Sequence, residues 1–473
     1  MKILIINPPA IDGIGFVREG RCEQRTASFQ YLMVPISLPS IAAVVREGGH
    51  DVRIIDCIAE ETDVDGLAAI FKEYQPDLAL FNFSTVTFYG DSEVTHTLRE
   101  ISDAHFTAIG VHVTTMAQDT LERSALDSIV RREPEMTALA LADALQADNP
   151  LSGVEGITFR SEEGIIANPD RPLVEDLDSL PFPARDLIKN ELYVAPLSDK
   201  PQTLVVTSRG CPYACVYCTA HRYYGKRPRM RSATNIVDEI QECVERYGIT
   251  EITMWSDTFT IDRETVLAVC DEIERRDLSF NWMCNSRVDT VDLEMLKRMK
   301  QTGCMVMSYG VESGVQEILD NIKKGTTIEQ IRQAFLWTRE AGIESMAHIV
   351  LGLPGESLET IEATKKLVRQ IKPDYVQFYA AVPFPGTEFY RMAREEGWLI
   401  TNDWSRFEIN QAIISTPLLS AEQLEAARKE AFNKFYLRPS YMWQKATEIR
   451  SFEDARRLFR GGIDFLRSWV MSS

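Results

Sequence analysis

Thr203-Leu204-Val205-Val206-Thr207-Ser208-Arg209-Gly210-Cys211-Pro212-Tyr213-Ala214-Cys215-Val216-Tyr217-Cys218 carries three cysteines at C-x3-C-x2-C spacing. The apolar run at its start reads as a buried strand, and Gly210 as the turn that ends it. The thiols therefore fall on a loop at the C-terminal end of a strand, where α/β folds place their chemistry. Three closely spaced thiolates suit an iron–sulfur cluster. In a [4Fe–4S] cube they leave one iron open to a ligand from outside the protein.

Two other readings compete. His221 lies three residues after Cys218, so Cys211, Cys215, Cys218 and His221 form a conceivable Cys3His zinc set. Structural zinc modules usually split their ligands between two knuckles, whereas here all four crowd one loop. A disulfide framework fits worse: nine cysteines in 473 residues are sparse, and Cys22, Cys57, Cys243, Cys270, Cys284 and Cys304 are scattered, as buried thiols are.

The cysteine run, with Tyr217 just before the last thiol, resembles the signature of the radical S-adenosylmethionine (SAM) superfamily. The resemblance implies that SAM chelates the open iron through its amino and carboxylate groups, and that the cluster splits it to a 5′-deoxyadenosyl radical. It also implies an external electron donor of the flavodoxin or ferredoxin type.

The formal net charge of −19 argues against a broad nucleic-acid surface. The opening apolar stretch is too short for a signal peptide, and no segment approaches a membrane span. A cytoplasmic, reduced location is expected, with a substrate that is a small molecule or lipid-like.

Residues 1–145 alternate between strands and helices. Strands are expected at Lys2–Ile6, His50–Asp56, Leu78–Phe83 and Phe106–Val113, with helices at Ser40–Gly48 (Ser40 near its N-cap), Asp65–Tyr74 and Ser92–Ile101. The pattern predicts a Rossmann-like, doubly wound parallel sheet. Its ligands would sit beyond the strand ends, near Asn7-Pro8-Pro9, Ser84-Thr85 and Gly110-Val111-His112. This stretch resembles the cobalamin-binding-type domain of one radical SAM branch, which includes cobalamin-dependent methylases, the anaerobic magnesium-protoporphyrin ester cyclase and hopanoid-modifying enzymes. The resemblance implies cobalamin as a cofactor, with Ser84, Thr85 and His112 as candidate contacts. Two departures stand: the D-x-H-x-x-G loop is absent, and Arg132-Glu133-Pro134-Glu135 replaces a Gly-Glu-Gly-Glu stretch. A domain that only packs on its neighbour, without cobalamin, is the alternative.

Residues 146–200 read as a linker with a small hairpin and a Pro-punctuated extended run, 177–185. From 201 to 395, six strand candidates (Thr203–Thr207, Glu251–Trp255, Phe280–Met283, Met305–Tyr309, Met346–Leu351 and Tyr375–Val382) alternate with helices. Six units are too few for a closed eightfold barrel, so a partial (β/α)6 TIM-type barrel is expected, as in radical SAM proteins. By the same resemblance the strand ends contribute cofactor contacts: Asp257, Ser286 and Arg287, Glu312, Gly352 and Pro383. Glu312 suits the SAM ammonium or ribose diol, and Arg287 the methionyl carboxylate. Gly310, Gly314, Gly352 and Gly355 would let backbone approach the adenine. His348 reads as a core histidine or a ligand contact.

Residues 396–473 form a helical region, with a helix at Ser420–Phe435. The tail beyond it interleaves basic and aromatic residues. It reads as a lid over the barrel, or as a weak contact with an anionic membrane surface.

The leading function is a radical SAM enzyme performing cobalamin-dependent C-methylation, with cyclisation or rearrangement as a variant. A cobalamin-free methylthiotransferase and a zinc-stabilised binding protein are the alternatives.

Overall fold

A computed structural model describes all residues except 20–23, 27–31, 196, 197, 199, 440 and 443–473. Most of the basic, aromatic C-terminal tail lies outside the described residues, as does Cys22; within the described part, Arg438 packs over the rings of Phe435 and Tyr441.

Five parallel strands build the first sheet: β1 (Lys2–Asn7), β2 (Asp51–Asp56), β3 (Leu78–Asn82), β4 (His105–Ile109) and β5 (Ser128–Val130). An antiparallel hairpin, β6 (Ile157–Ser161) and β7 (Gly164–Ala167), extends it in the order β2-β1-β3-β4-β5-β6-β7. The hairpin expected in the linker thus continues the first sheet. Leu78–Phe81 are buried throughout, as a central strand covered on both faces requires. Helices α1 (Ser37–Glu47), α2 (Val64–Tyr74) and α3 (Phe88–Arg99) flank the sheet.

Three local expectations need correction. The first helix begins at Ser37, so Ser40 is not its cap; the Ser40 hydroxyl donates to the Ile36 carbonyl within the first turn. The fourth strand ends at Ile109, and His112 lies on a short helix, α4 (Val111–Thr115). Gly110, at φ +130°, makes the break, and a Cβ there would collide with the Phe83 carbonyl. The run 177–185 is not simply extended, because 3-10 turns form at Leu177–Ser179 and Arg185–Leu187. A further helix, α5 (Ala117–Arg123), leads to β5. Helix α6 (Glu135–Gln146) follows it, begins at the Pro134 cap and packs on α1.

The second sheet is fully parallel, with neighbours in chain order: β8 (Gln202–Val206), β11 (Glu251–Trp255), β12 (Asn281–Ser286), β13 (Cys304–Glu312), β14 (Glu344–Leu351) and β15 (Tyr375–Ala380). Between the first two lies a short antiparallel ribbon, β9 (Ser208–Arg209) with β10 (Arg229–Met230). Ser420 caps the long C-terminal helix Ala421–Tyr436 through a capping box with Gln423, and Leu424 and Ala427 face inward. The connector is tied to the barrel by buried Arg185, which donates to the Leu204 carbonyl at 2.8 Å and pairs with Glu239 at 2.6 Å.

Candidate functional site: the cysteine loop and the cleft between the sheets

The ribbon of β9 and β10 is the stem of the cysteine loop. Gly210 N donates to Asp257 Oδ2 at 3.0 Å, so the carboxylate at the end of β11 fastens the residue preceding Cys211. Cys215 is buried, while Cys211 and Cys218 are partly exposed. Burial pushes the Cys215 thiol up, and Lys324 opposes that shift. The Cys215 thiol points to the Lys323 carbonyl at 3.9 Å, and Val216 N donates to the Ile322 carbonyl at 3.1 Å. Among the described residues, no three His, Cys, Asp or Glu side chains converge as ligands of a single ion.

Below the loop, the barrel ends hold a charged network. Glu312 accepts from Lys324 Nζ at 2.6 Å and from the Tyr217 hydroxyl. Burial and Glu312 together hold the Tyr217 phenol well above its usual range. Glu312 sits at φ +63°, where the β13–β14 register shifts. Arg287 forks onto Asp289 at 2.9 Å through two nitrogens and donates to the Lys324 carbonyl at 2.8 Å. Its guanidinium lies 3.4 Å from the Tyr213 ring centroid. Both groups expected to meet SAM are thus already ion-paired within the protein. Ser286 belongs to a hydroxyl cluster with Thr260 and Thr290.

The glycines correct one expectation: the space they spare is filled by protein. A Cβ on Gly310 would lie 2.5 Å from Glu312 Oε1, and one on Gly352 2.5 Å from Leu424 Cδ2. Cβ atoms on Gly314 and Gly355 would meet Thr364 and Asn321. Pro383 is buried at the end of the last barrel strand. His348 stacks on Tyr379, with Nδ1 3.2 Å from the hydroxyl.

The C-terminal strand ends of the two sheets face each other across a cleft of about 730 Å³, open mouth included. Arg18, Glu19, Asn82 and Gly110 line one wall; Ser208, Tyr224, Trp255 and Asp257 line the other. Burial raises the Glu19 carboxyl to about 7, against hydrogen bonds from Ser37. Ser256 Oγ, in the cleft wall, has no hydrogen-bond partner among the described residues. An open cleft with an unsatisfied hydroxyl and a glycine at its lip suits a bound cofactor.

The expected contacts in the first domain lie differently. Ser84 and Thr85 are buried in the turn leading into α3, where the Ser84 hydroxyl is 2.8 Å from Thr87 Oγ1. His112 packs between Phe88 and Trp404, with both ring nitrogens lacking hydrogen-bond partners among the described residues. Burial lowers its pKa to about 3. Residues not anticipated from the sequence include Lys324, Arg209, Arg229, Glu133 and Glu135. The signal available for Glu133 and Glu135 was the acidic pair in the departed motif.

Residues 205–368 match the family described as the radical SAM superfamily, and residues 25–142 match the B12 binding domain. An uncharacterised methyltransferase of Pyrococcus horikoshii is 32% identical over 98% of both chains. An anaerobic magnesium-protoporphyrin IX monomethyl ester cyclase of Cereibacter sphaeroides is 28% identical over 85% of this chain and 67% of its own. A cytidylyl-2-hydroxyethylphosphonate methyltransferase of Streptomyces wedmorensis is 26% identical over 85% of each. In fold, the chain is similar to the methyltransferase TsrM of Kitasatospora setae (TM-score 0.72, 18% identity, covering 93% of this chain and 89% of that one). It is likewise similar to the cobalamin-dependent enzyme OxsB (TM-score 0.75, 17% identity, covering 97% and 70%). With its cysteine loop at the barrel mouth and its first sheet facing that mouth, the chain belongs to the radical SAM superfamily, in the branch that carries a B12-binding domain.

Proposed function

We propose that this protein is a cobalamin-dependent radical SAM methyltransferase acting on carbon of a small-molecule substrate. The observation that carries the reading is that the residues flanking the three-thiol loop, Ser208 before it and Thr219, Ala220 and Tyr223 after it, line a cleft bounded by strand ends of both sheets. Cys211, Cys215 and Cys218 would hold a [4Fe–4S] cluster and leave one iron for SAM. Glu312, Arg287 and Asp257 would bind and orient SAM, exchanging part of their present pairing for its ammonium and carboxylate. Asn82, Gly110, Ser208 and Ser256 would bind cobalamin in the cleft. When bound, these cofactors supply the electron that cleaves SAM to a 5′-deoxyadenosyl radical and a methyl group for transfer. The protein's share is to hold SAM against the open iron, to bring the two cofactors to one space and to keep water out.

The division of labour follows the sheets. The first sheet with its hairpin forms the cobalamin side, residues 201–395 the SAM barrel, and the C-terminal helix packs against the last barrel strand. An external flavodoxin- or ferredoxin-type donor would supply electrons in a reducing cytoplasm. Among the described residues, no helix is long and apolar enough to cross a membrane.

The test is anaerobic reconstitution to about four irons per chain, then incubation with SAM and a chemical reductant, with and without methylcobalamin. Formation of 5′-deoxyadenosine is expected, with tight retention of cobalamin. Iron-loaded protein that leaves SAM intact would remove the reading. Intact SAM cleavage without cobalamin retention would reduce it to a cobalamin-free radical SAM enzyme.

A further inference from the structure

Lys324 has no role in the reading above, yet it occupies a distinctive place. It is 5% exposed, and its Nζ lies 2.6 Å from Glu312 Oε1. A Cβ on Gly310 would come within 2.7 Å of that ammonium, so Lys324 lies directly over the bare backbone of β13 at the barrel end. The segment that carries it runs along the cysteine loop: the Ile322 carbonyl accepts from Val216 N and the Lys323 carbonyl from the Cys215 thiol. The Lys324 carbonyl in turn accepts from Arg287.

This arrangement has an electrostatic consequence. As a thiol, Cys215 donates to the Lys323 carbonyl. As a thiolate it loses that bond and faces a carbonyl dipole of the wrong sign. A buried cation one residue away offsets this. Glu312, which holds that cation, also accepts from the Tyr217 hydroxyl one residue before Cys218, so the ammonium is fixed against the cysteine loop. Adding an electron to a thiolate-ligated cube makes it more negative, and net charge nearby is one of the levers that sets its potential. In a buried site such a field is weakly screened.

We propose that Lys324 is an electrostatic positioning residue for the cluster: its buried ammonium, steadied by Glu312, raises the reduction potential of the cube held by Cys211, Cys215 and Cys218. The inference rests on the cluster assignment above. Glu312 then has a double task, anchoring Lys324 in the resting protein and meeting SAM when it binds.

The experiment is an EPR-monitored redox titration of anaerobically reconstituted full-length protein without SAM. It compares the wild type with K324R, K324M and the double variant K324M/E312Q, which leaves no unpaired buried carboxylate. The expected midpoint order is wild type and K324R highest, the double variant lower, and K324M lowest. The fall from wild type to K324M should be about tenfold in the one-electron reduction equilibrium, or ~59 mV. An iron-loaded K324M with an unshifted midpoint overturns the proposal, and so does a K324R midpoint displaced as far as that of K324M. If K324M fails to load iron, the double variant decides in the same way. Loss of iron from both neutral variants with normal loading of K324R supports a requirement for the cation, whereas loss from K324R as well points to packing and overturns it. A wild type that takes up no iron refutes the cluster assignment instead.

Discussion

Glu135, in the first turn of α6, grips Arg209, two residues before Cys211, through two bonds of 2.5 and 3.2 Å. Beside it, Glu133 holds Arg229 on the partnering strand at 2.6 and 3.0 Å. All four side chains are buried. Both strands of the cysteine loop's stem are therefore clamped to the loop and helix that follow the last parallel strand of the first sheet. The stretch that departs from Gly-Glu-Gly-Glu keeps both carboxylates, and here they serve as an interdomain clasp.

Breaking one partner of such a pair leaves a buried charge unmatched, which costs about 3–5 kcal/mol. E135A is expected to lose somewhat less than that in chemical denaturation, because Glu133 remains 3.6 Å from Arg209. E135L/R209M removes both charges and should recover most of it. A single variant as stable as the wild type would show that the clasp is not under load. Iron retention after reconstitution should fall in E135A, because the stem of the cysteine loop is released.

Replacing any one of Cys211, Cys215 or Cys218 by Ala should abolish the brown chromophore and 5′-deoxyadenosine formation. C243A, at a buried helix position away from the loop, should keep both. Iron analysis and visible absorbance of each reconstituted variant check this. A loop variant that retained full iron would remove that cysteine from the ligand set.

His112 predicts a pH effect. Its folded pKa of about 3 lies below the ordinary value of 6.5 because burial disfavours the imidazolium. Between those values the unfolded chain binds the extra proton. The contribution of His112 to stability is therefore complete above about pH 6.5 and is lost as pH falls towards 3, by up to about 1.4 kcal/mol per pH unit. H112F fills the aromatic site between Phe88 and Trp404 without a titrating group. Its stability should decline less steeply than the wild type's from pH 6.5 to 4.5 in parallel urea titrations.

Gly352 is constrained twice. Its φ of +93° disfavours any side chain, and a Cβ there would press on Leu424 of the C-terminal helix. G352A should cost about 1–3 kcal/mol. G352A/L424A should not restore wild-type stability, because the backbone strain persists and a cavity is added. Full restoration would assign the whole cost to the Leu424 contact.

Much of the fold was legible in the chain itself. Strands of the parallel sheets are short apolar runs closed by Gly, Pro or capping residues, and those signals are local. Glu251–Trp255 forms with the bounds expected, and the three-thiol spacing places its chemistry on one loop, since eight residues cannot separate far. Local signals failed where a short-range break overrode an apolar run, as Gly110 does before His112, and where a helix followed a proline in a stretch read only as a damaged motif.

The partners of the charged groups were not legible. Glu135 and Arg209 are 74 positions apart, and nothing in the spacing of either tells which strand ends will face each other. Lys324 meets Glu312 across a bulge and the short helix Gln316–Asn321, and Leu424 reaches Gly352 from a helix beyond the barrel. Sequence alone thus determined which cofactor chemistry the chain carries, because ligand type and spacing are properties of a short segment. Only the tertiary structure decided which buried charges neutralise one another around that chemistry, because long-range packing sets the pairings of ions removed from water.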